Sequence, residues 1–361
     1  MNTFFELIQM AIGRREALSN PPQVRSEWEE LCSVCAKHNM LGITFPVIDE
    51  LHDTLETIPL GIYSRWAMVA EKIAKKNARL QAACKALSDR FLADGFRSCV
   101  LKGQAAAALY PDPSLRQSGD IDIWLEGERQ AVVDYLRAHC EVHKVVYHHC
   151  DTKLIPDVGV EVHFTPSWMN APCSNRRLQA WFGSIKEEQF SNYDKTLGFC
   201  VPTIRFNGVY MLVHIYRHVL EEGVGLRQLL DYYYVLKHLD DADRNAVRKD
   251  LEYLKLDKFA ASVMYVLKEV FLLDDSELLY APDKRGGSFL LEEIMLSGNF
   301  GRFDERNAHQ KGEGLLAHGR RKTERGLRYL LHYPSEVISM PFYILWQYFW
   351  RRRHGYLYKG R

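Results

Sequence analysis

Between Cys99 and Leu125 the chain reads CVLKGQAAAALYPDPSLRQSGDIDIWL, and within it Asp120 and Asp122 stand one residue apart in an apolar run. Side chains alternate across a β-strand, so in extended form both acids project from one face, and Ile121, Ile123 and Leu125 from the other. The apolar face anchors the strand on a core, and two like charges side by side on the opposite face ask for a cation. A solvated edge strand, or a turn after Ser118-Gly119, is the plainer reading of the same residues. All-oxygen ligands suit Mg²⁺ or Mn²⁺, which bind through one or two carboxylates and complete their shells with water and phosphate oxygens.

Upstream, Val100-Leu101-Lys102-Gly103 ends a short apolar strand on a lysine and a glycine, and Gln104 to Tyr110 has the composition of a following helix. Strand, glycine turn and helix start make a phosphate cradle: free N–H groups and partial positive charge meet the anion, and glycine permits close approach. Lys102 and Arg116 add charge. Downstream, Val158-Gly159-Val160-Glu161-Val162-His163 alternates, with three valines on one face and Glu161 and His163 on the other.

These residues resemble the uncharacterised nucleotidyltransferase family of the polymerase-beta-like nucleotidyltransferase superfamily, over residues 96 to 240. There a glycine turn opens a helix beside a strand bearing Asp-x-Asp, and a third carboxylate comes from a later strand. Gln104 stands where the broad superfamily has Gly or Ser, and Pro111-Asp112-Pro113-Ser114 lengthens the loop. The resemblance implies an α+β fold, a small mixed sheet flanked by N- and C-terminal helical regions. It implies divalent ions on Asp120, Asp122 and Glu161, and a nucleoside triphosphate against Lys102, Gly103, Ser118 and Gly119, helped by Arg116. The implied reaction transfers a nucleoside monophosphate to an unidentified acceptor hydroxyl.

A second cluster, VHIYRH followed by EEGVGLRQLLD, puts His214 with His218 and Arg227 with Asp231 at helical i, i+4 spacing. The resemblance implies nucleotide or acceptor contacts by His218 and Arg227, with Asp231 orienting the arginine. A buried polar network joining this helical hairpin to the sheet is an equal reading. Two other functions fit the carboxylate motif: an inactive nucleotide-sensing or partner-binding relative, and a metal-dependent glycosyltransferase using a nucleotide-sugar. The latter calls for a large parallel sheet ahead of the motif, where this chain has helical pattern.

Residues 1–95 are expected to be helical, over Asn2–Ala17, Val24–His38, Leu41–Leu55 and Tyr63–Ala93. Residues 96–205 form the α+β core, with strands at Ser98–Leu101, Ile121–Leu125, Lys144–His149 and Val158–Phe164 and a helix at Glu128–His139. Residues 206–300 return to helix, and 301–361 hold a basic linker, polar over 302–326, and an aromatic C-terminal helix.

Residues 302–361 carry a net charge of +8 against −7 for the rest. That tail runs through Phe342-Tyr343-Ile344-Leu345-Trp346-Gln347-Tyr348-Phe349-Trp350 into Arg351-Arg352-Arg353. It suits packing on the body of the protein, a membrane interface or, least, nucleic acid, which the acidic remainder repels. No run approaches the roughly 20 apolar residues of a membrane span. A cytoplasmic protein is expected, with membrane association open through the tail. Eight scattered cysteines then read as reduced thiols, and Cys32-Ser33-Val34-Cys35 as a helix face rather than a metal site.

Overall fold

The computed structural model describes residues 2–307 and 323–356. Four helices come first: α1 (Asn2–Ala11), α2 (Arg25–Lys37), α3 (Leu41–Thr54) and the long α4 (Leu60–Ala93). α1 stops short of the expected Ala17 because Gly13 adopts a φ of +71°, a left-handed turn that ends helices. On α2 both Cys32 and Cys35 are buried, and burial pushes their thiols up. His38 just beyond packs on Phe4 and accepts a bond from the Leu226 N–H.

Five strands follow: β1 (Ser98–Val100), β2 (Ile121–Leu125), β3 (Val142–Val145), β4 (His149–Ile155) and β5 (Val158–His163), in sheet order β1-β2-β5-β4-β3. β2 and β5 run parallel, and every other pairing is antiparallel. The strand expected over Lys144–His149 is instead a hairpin corner. β3 ends at Val145, the Val146 N–H bonds the His149 carbonyl, and β4 continues to Ile155. Between β1 and β2 lies α5 (Gln104–Ala107), a single turn, and α6 (Arg129–His139) joins β2 to β3.

The alternation of β2 and β5 decides how the sheet is covered. Ile121, Ile123, Leu125, Val160 and Val162 pack with Leu80, Leu87 and Phe91 of α4 and with Val132, Val133 and Leu136 of α6. On the opposite face Trp124 lies against Phe182 and Phe190 of α7 (Pro172–Ser191) and Phe206 of α8 (Ile204–Glu221), with ring centroids 4.8–6.4 Å away. A two-stranded ribbon, β6 (Tyr193–Asp194) and β7 (Phe199–Cys200), connects these helices.

α8 and α9 (Leu226–His238) form a hairpin whose turn holds Gly223 at φ +127°. A side chain there would meet the Gly301 nitrogen at 2.9 Å, so glycine is required. α10 (Asp241–Leu254), α11 (Asp257–Phe271) and α12 (Lys284–Ser297) complete the helical layer. Leu7, Ile8 and Trp28 share one apolar cluster with Val263 and Leu267 of α11, so helices before and after the sheet have a common core. The polar stretch 302–326 lies mostly outside the described residues, and its end is helical, in α13 (323–329). Last comes α14 (Pro334–Arg353). No helix among the described residues is long and apolar enough to cross a membrane.

Ile123 is fully buried at the centre of β2. Its replacement by alanine is expected to lower unfolding free energy by about 2–5 kcal/mol, measured by urea denaturation.

Candidate functional site

The turn after β1 is built around Gly103, whose φ of +54° and ψ of −109° are open only to glycine. The helix expected to follow is one turn long, so few peptide dipoles align behind the turn, and the helix-terminus part of the phosphate cradle is lost. Gln104 points into the protein, where its amide donates to Asn77 of α4 at 3.4 Å. What the turn positions is Lys102, at the head of β2.

The strand register sets polar residues abreast on one face of the sheet. Asp122 pairs with Glu161, and Glu161 pairs with Asp151 of β4; beside this row His163 pairs with His149. Asp120 sits in the bend just before β2 and is exposed. Like charges on neighbouring strands destabilise a sheet, so this row needs compensation. Lys102 Nζ supplies it at 2.7 Å from Asp122 Oδ1, and His163 Nε2 lies 3.0 Å from the same oxygen and 3.5 Å from Glu161. His149 Nε2 is 2.9 Å from Asp151.

Burial alone would push the Asp122 carboxyl up, but Lys102 and His163 hold it well below its ordinary range. Burial likewise opposes charge on Lys102 and His163, and the carboxylates outweigh it, raising both. Glu161 is lowered in spite of burial, chiefly by its contact with His163. Asp120 differs. Crowding by the surrounding protein, then the charges of Asp122 and Glu161, raise its carboxyl, and among the described residues it forms no ion pair.

Facing this row is a second charge cluster. Arg116 grips Asp231 with two bonds, at 2.7 and 2.8 Å, and its third nitrogen donates to Ser118 Oγ. Arg227 reaches the same carboxylate at 3.1 Å, and Tyr110 donates to it at 2.6 Å. Two buried arginines therefore share one buried aspartate, leaving an excess positive charge. Burial, then Arg116, lower the Arg227 guanidinium, and its Nε has no partner. Lys76 of α4 adds another cation and donates to the Ser118 carbonyl at 3.0 Å.

Both clusters line a cavity of about 460 Å³. It brings together every site residue expected from the sequence: Asp120, Asp122, Glu161, Lys102, Gly103, Arg116, Ser118, Gly119, His218 and Arg227 all border it. They do not stand as expected in every case. Arg116 is consumed by Asp231, Ser118 braces Arg116 and Lys76, and Lys102 rests on Asp122. A second cavity, about 530 Å³, shares Lys102, Glu161, His214 and His218 with the first. Sequence reasoning missed Lys76 and Arg302 on the first cavity and His149 and Asp151 on the second. For the last two the signal is a His-x-Asp alternation, which the strand expected over Lys144–His149 cuts off where β4 begins.

Asp120 and Asp122 offer the oxygen ligands that a divalent cation takes, and Asp120 has no ion-pair partner among the described residues. Asp120, Asp122 and Glu161 do not form a trio with all ligand oxygens within 4.8 Å; the described trio meeting that limit is His149, Glu161 and His163. Its imidazoles suit a transition ion rather than Mg²⁺.

A family described as uncharacterised nucleotidyltransferase matches residues 25–272. No curated protein matches the chain.

Replacing Asp231 by asparagine strands two buried arginines, and a loss of about 3–5 kcal/mol is expected in urea unfolding at pH 7. Arg116 holds the Asp231 carboxyl below its ordinary 3.8 despite burial. Its contribution is therefore complete above that value and lost as pH falls through the depressed one. The gap between natural protein and Asp231→Asn is expected to be flat above pH 4 and to close below it.

Proposed function

The chain belongs to this family of nucleotidyltransferases, and from that premise we propose that it moves a nucleoside monophosphate from a nucleoside triphosphate to an acceptor hydroxyl with Mg²⁺ or Mn²⁺. The observation that carries this reading is the pairing of opposite clusters in one cavity: acids from β2 and β5 on one wall, and the excess positive charge of Arg227, Arg116 and Lys76 on another. Phosphoryl-type transfer needs such positioning and charge neutralisation more than covalent help.

In this proposal Arg227 and Lys76 hold the triphosphate, while Arg116 and Asp231 fix Arg227 in place. A divalent ion on Asp120 and Asp122 would neutralise phosphate charge and orient the reacting phosphorus. Lys102 keeps Asp122 ionised. The acceptor approaches from the second cavity, where Glu161 borders both spaces and takes the hydroxyl proton. The acceptor oxygen bonds to the α-phosphorus, the bond from that phosphorus to its bridging oxygen breaks, and pyrophosphate leaves with the electron pair. A nucleotide-sugar glycosyltransferase is disfavoured by the sheet, in which only β2 and β5 run parallel and which four helices precede.

Thermal unfolding with each of the four nucleoside triphosphates, with and without Mg²⁺, tests the reading. A Mg²⁺-dependent rise is expected, worth about 2.7 kcal/mol at a hundred times the dissociation constant, and absent from Asp120→Asn/Asp122→Asn. No response to any triphosphate, or a response only to nucleotide-sugars, overturns it. Binding without pyrophosphate release over a broad acceptor panel supports the non-catalytic sensor instead.

A further inference from the structure

α14 is apolar on both sides, where a helix that only covers a core is apolar on one. Its inner side carries Glu336, Met340, Tyr343, Gln347 and Trp350, all buried or half-buried. Glu336 accepts the N–H groups of Asn170 and Ala171, and Tyr343 and Gln347 line the second cavity. The other side is apolar and open. Ile338, Phe342, Leu345 and Phe349, at spacings of four, three and four, share one stripe, and are 58, 71, 56 and 54 % exposed. Trp346 and Tyr348 flank the stripe and are 45 and 50 % exposed.

Folding alone selects against such a face, because a contiguous exposed apolar patch marks an interaction surface. Its charge names the occupant. Arg352 continues the stripe three residues beyond Phe349, with Arg351 and Arg353 beside it, and the helix's sole acid, Glu336, is turned inward and buried. Aliphatic and aromatic side chains ending in arginines, with no outward acid, have the chemistry of an interfacial helix on anionic lipid. The same helix, 20 residues long, is not apolar enough to span a bilayer. We infer that the outer face of α14 binds an anionic membrane surface, lying in its plane. Ile344 is 46 % exposed and also borders the second cavity, so the apolar face continues to that cavity's mouth. Binding would therefore seat the second cavity at the lipid headgroups. This inference does not depend on the proposed reaction, because it is read from binding alone.

Flotation of the full chain with vesicles tests it, comparing phosphatidylcholine with equal parts phosphatidylcholine and phosphatidylglycerol. The protein is expected to float with the anionic vesicles and to be released by added salt. Phe342→Ser/Leu345→Ser/Phe349→Ser is expected to abolish flotation with circular dichroism and melting temperature unchanged, since these side chains are outward. Arg351→Gln/Arg352→Gln/Arg353→Gln is expected to weaken binding on the order of 100-fold at low salt, about fivefold for each arginine near an anionic surface. No flotation of the natural protein, or flotation indifferent to the serine variant, overturns the inference. So does a dimer by light scattering that the serine variant splits, which assigns the face to a second copy of the chain.

Discussion

Three carboxylates set abreast by strand register, Asp122, Glu161 and Asp151, form the constraint around which the molecule is arranged. Such a row is unfavourable in a sheet by itself. Lys102, His163 and His149 offset it, and each is held by an element that the fold must place accurately: the Gly103 turn, β5 and the corner of the β3–β4 hairpin. Asp120 remains without an ion-pair partner among the described residues and ends the row as an acid whose carboxyl crowding and the neighbouring acids push up. The opposite wall carries the complementary imbalance, two arginines on one aspartate. Each imbalance costs stability in the isolated chain, and a metal-bound polyphosphate would relieve both together.

The helical layers are the means of holding these walls in place. α4 packs under the apolar side of β2 and also delivers Lys76 and Asn77 to the turn region. α7 and α8 cover the other side through Trp124 and its aromatic neighbours, and α8 and α9 present His214, His218, Arg227 and Asp231. A common core then ties the first helices to the last. Helices far apart in sequence thus converge on one cavity, and the nucleotidyltransferase match over residues 25–272 includes all of its lining but Asn299, Phe300 and Arg302.

Much of this was legible before any coordinates. β2 and β5 announce themselves by period-two alternation, which puts valines and isoleucines on one side and Asp122, Glu161 and His163 on the other; that period survives folding because it is a property of the strand. The β3–β4 corner was not legible. Val146-Tyr147-His148 contains no Gly, Pro, Asn or Asp and reads as continuing strand, so tertiary packing rather than turn chemistry ends β3. α5 stopped early in spite of four consecutive alanines, since Tyr110 is drawn to Asp231 across 121 residues. The same reason hides Lys76 and Arg302: nothing local in a helix or turn reveals which cavity it will border. Arg116 and Arg227 were visible as charges, but only the structure separates the one that is spent on Asp231 from the one with a free nitrogen.

In the proposed complex the Asp120–Asp122 wall takes a divalent ion and the Arg227–Lys76 wall takes phosphate. Crystals of the full chain grown with Mn²⁺ and a non-hydrolysable triphosphate analogue, measured at the manganese absorption edge, address it directly. The account predicts an anomalous peak in contact with Asp120 and Asp122, and triphosphate density against Arg227 and Lys76. A peak confined to His149, Glu161 and His163, with no triphosphate in the first cavity, would contradict it.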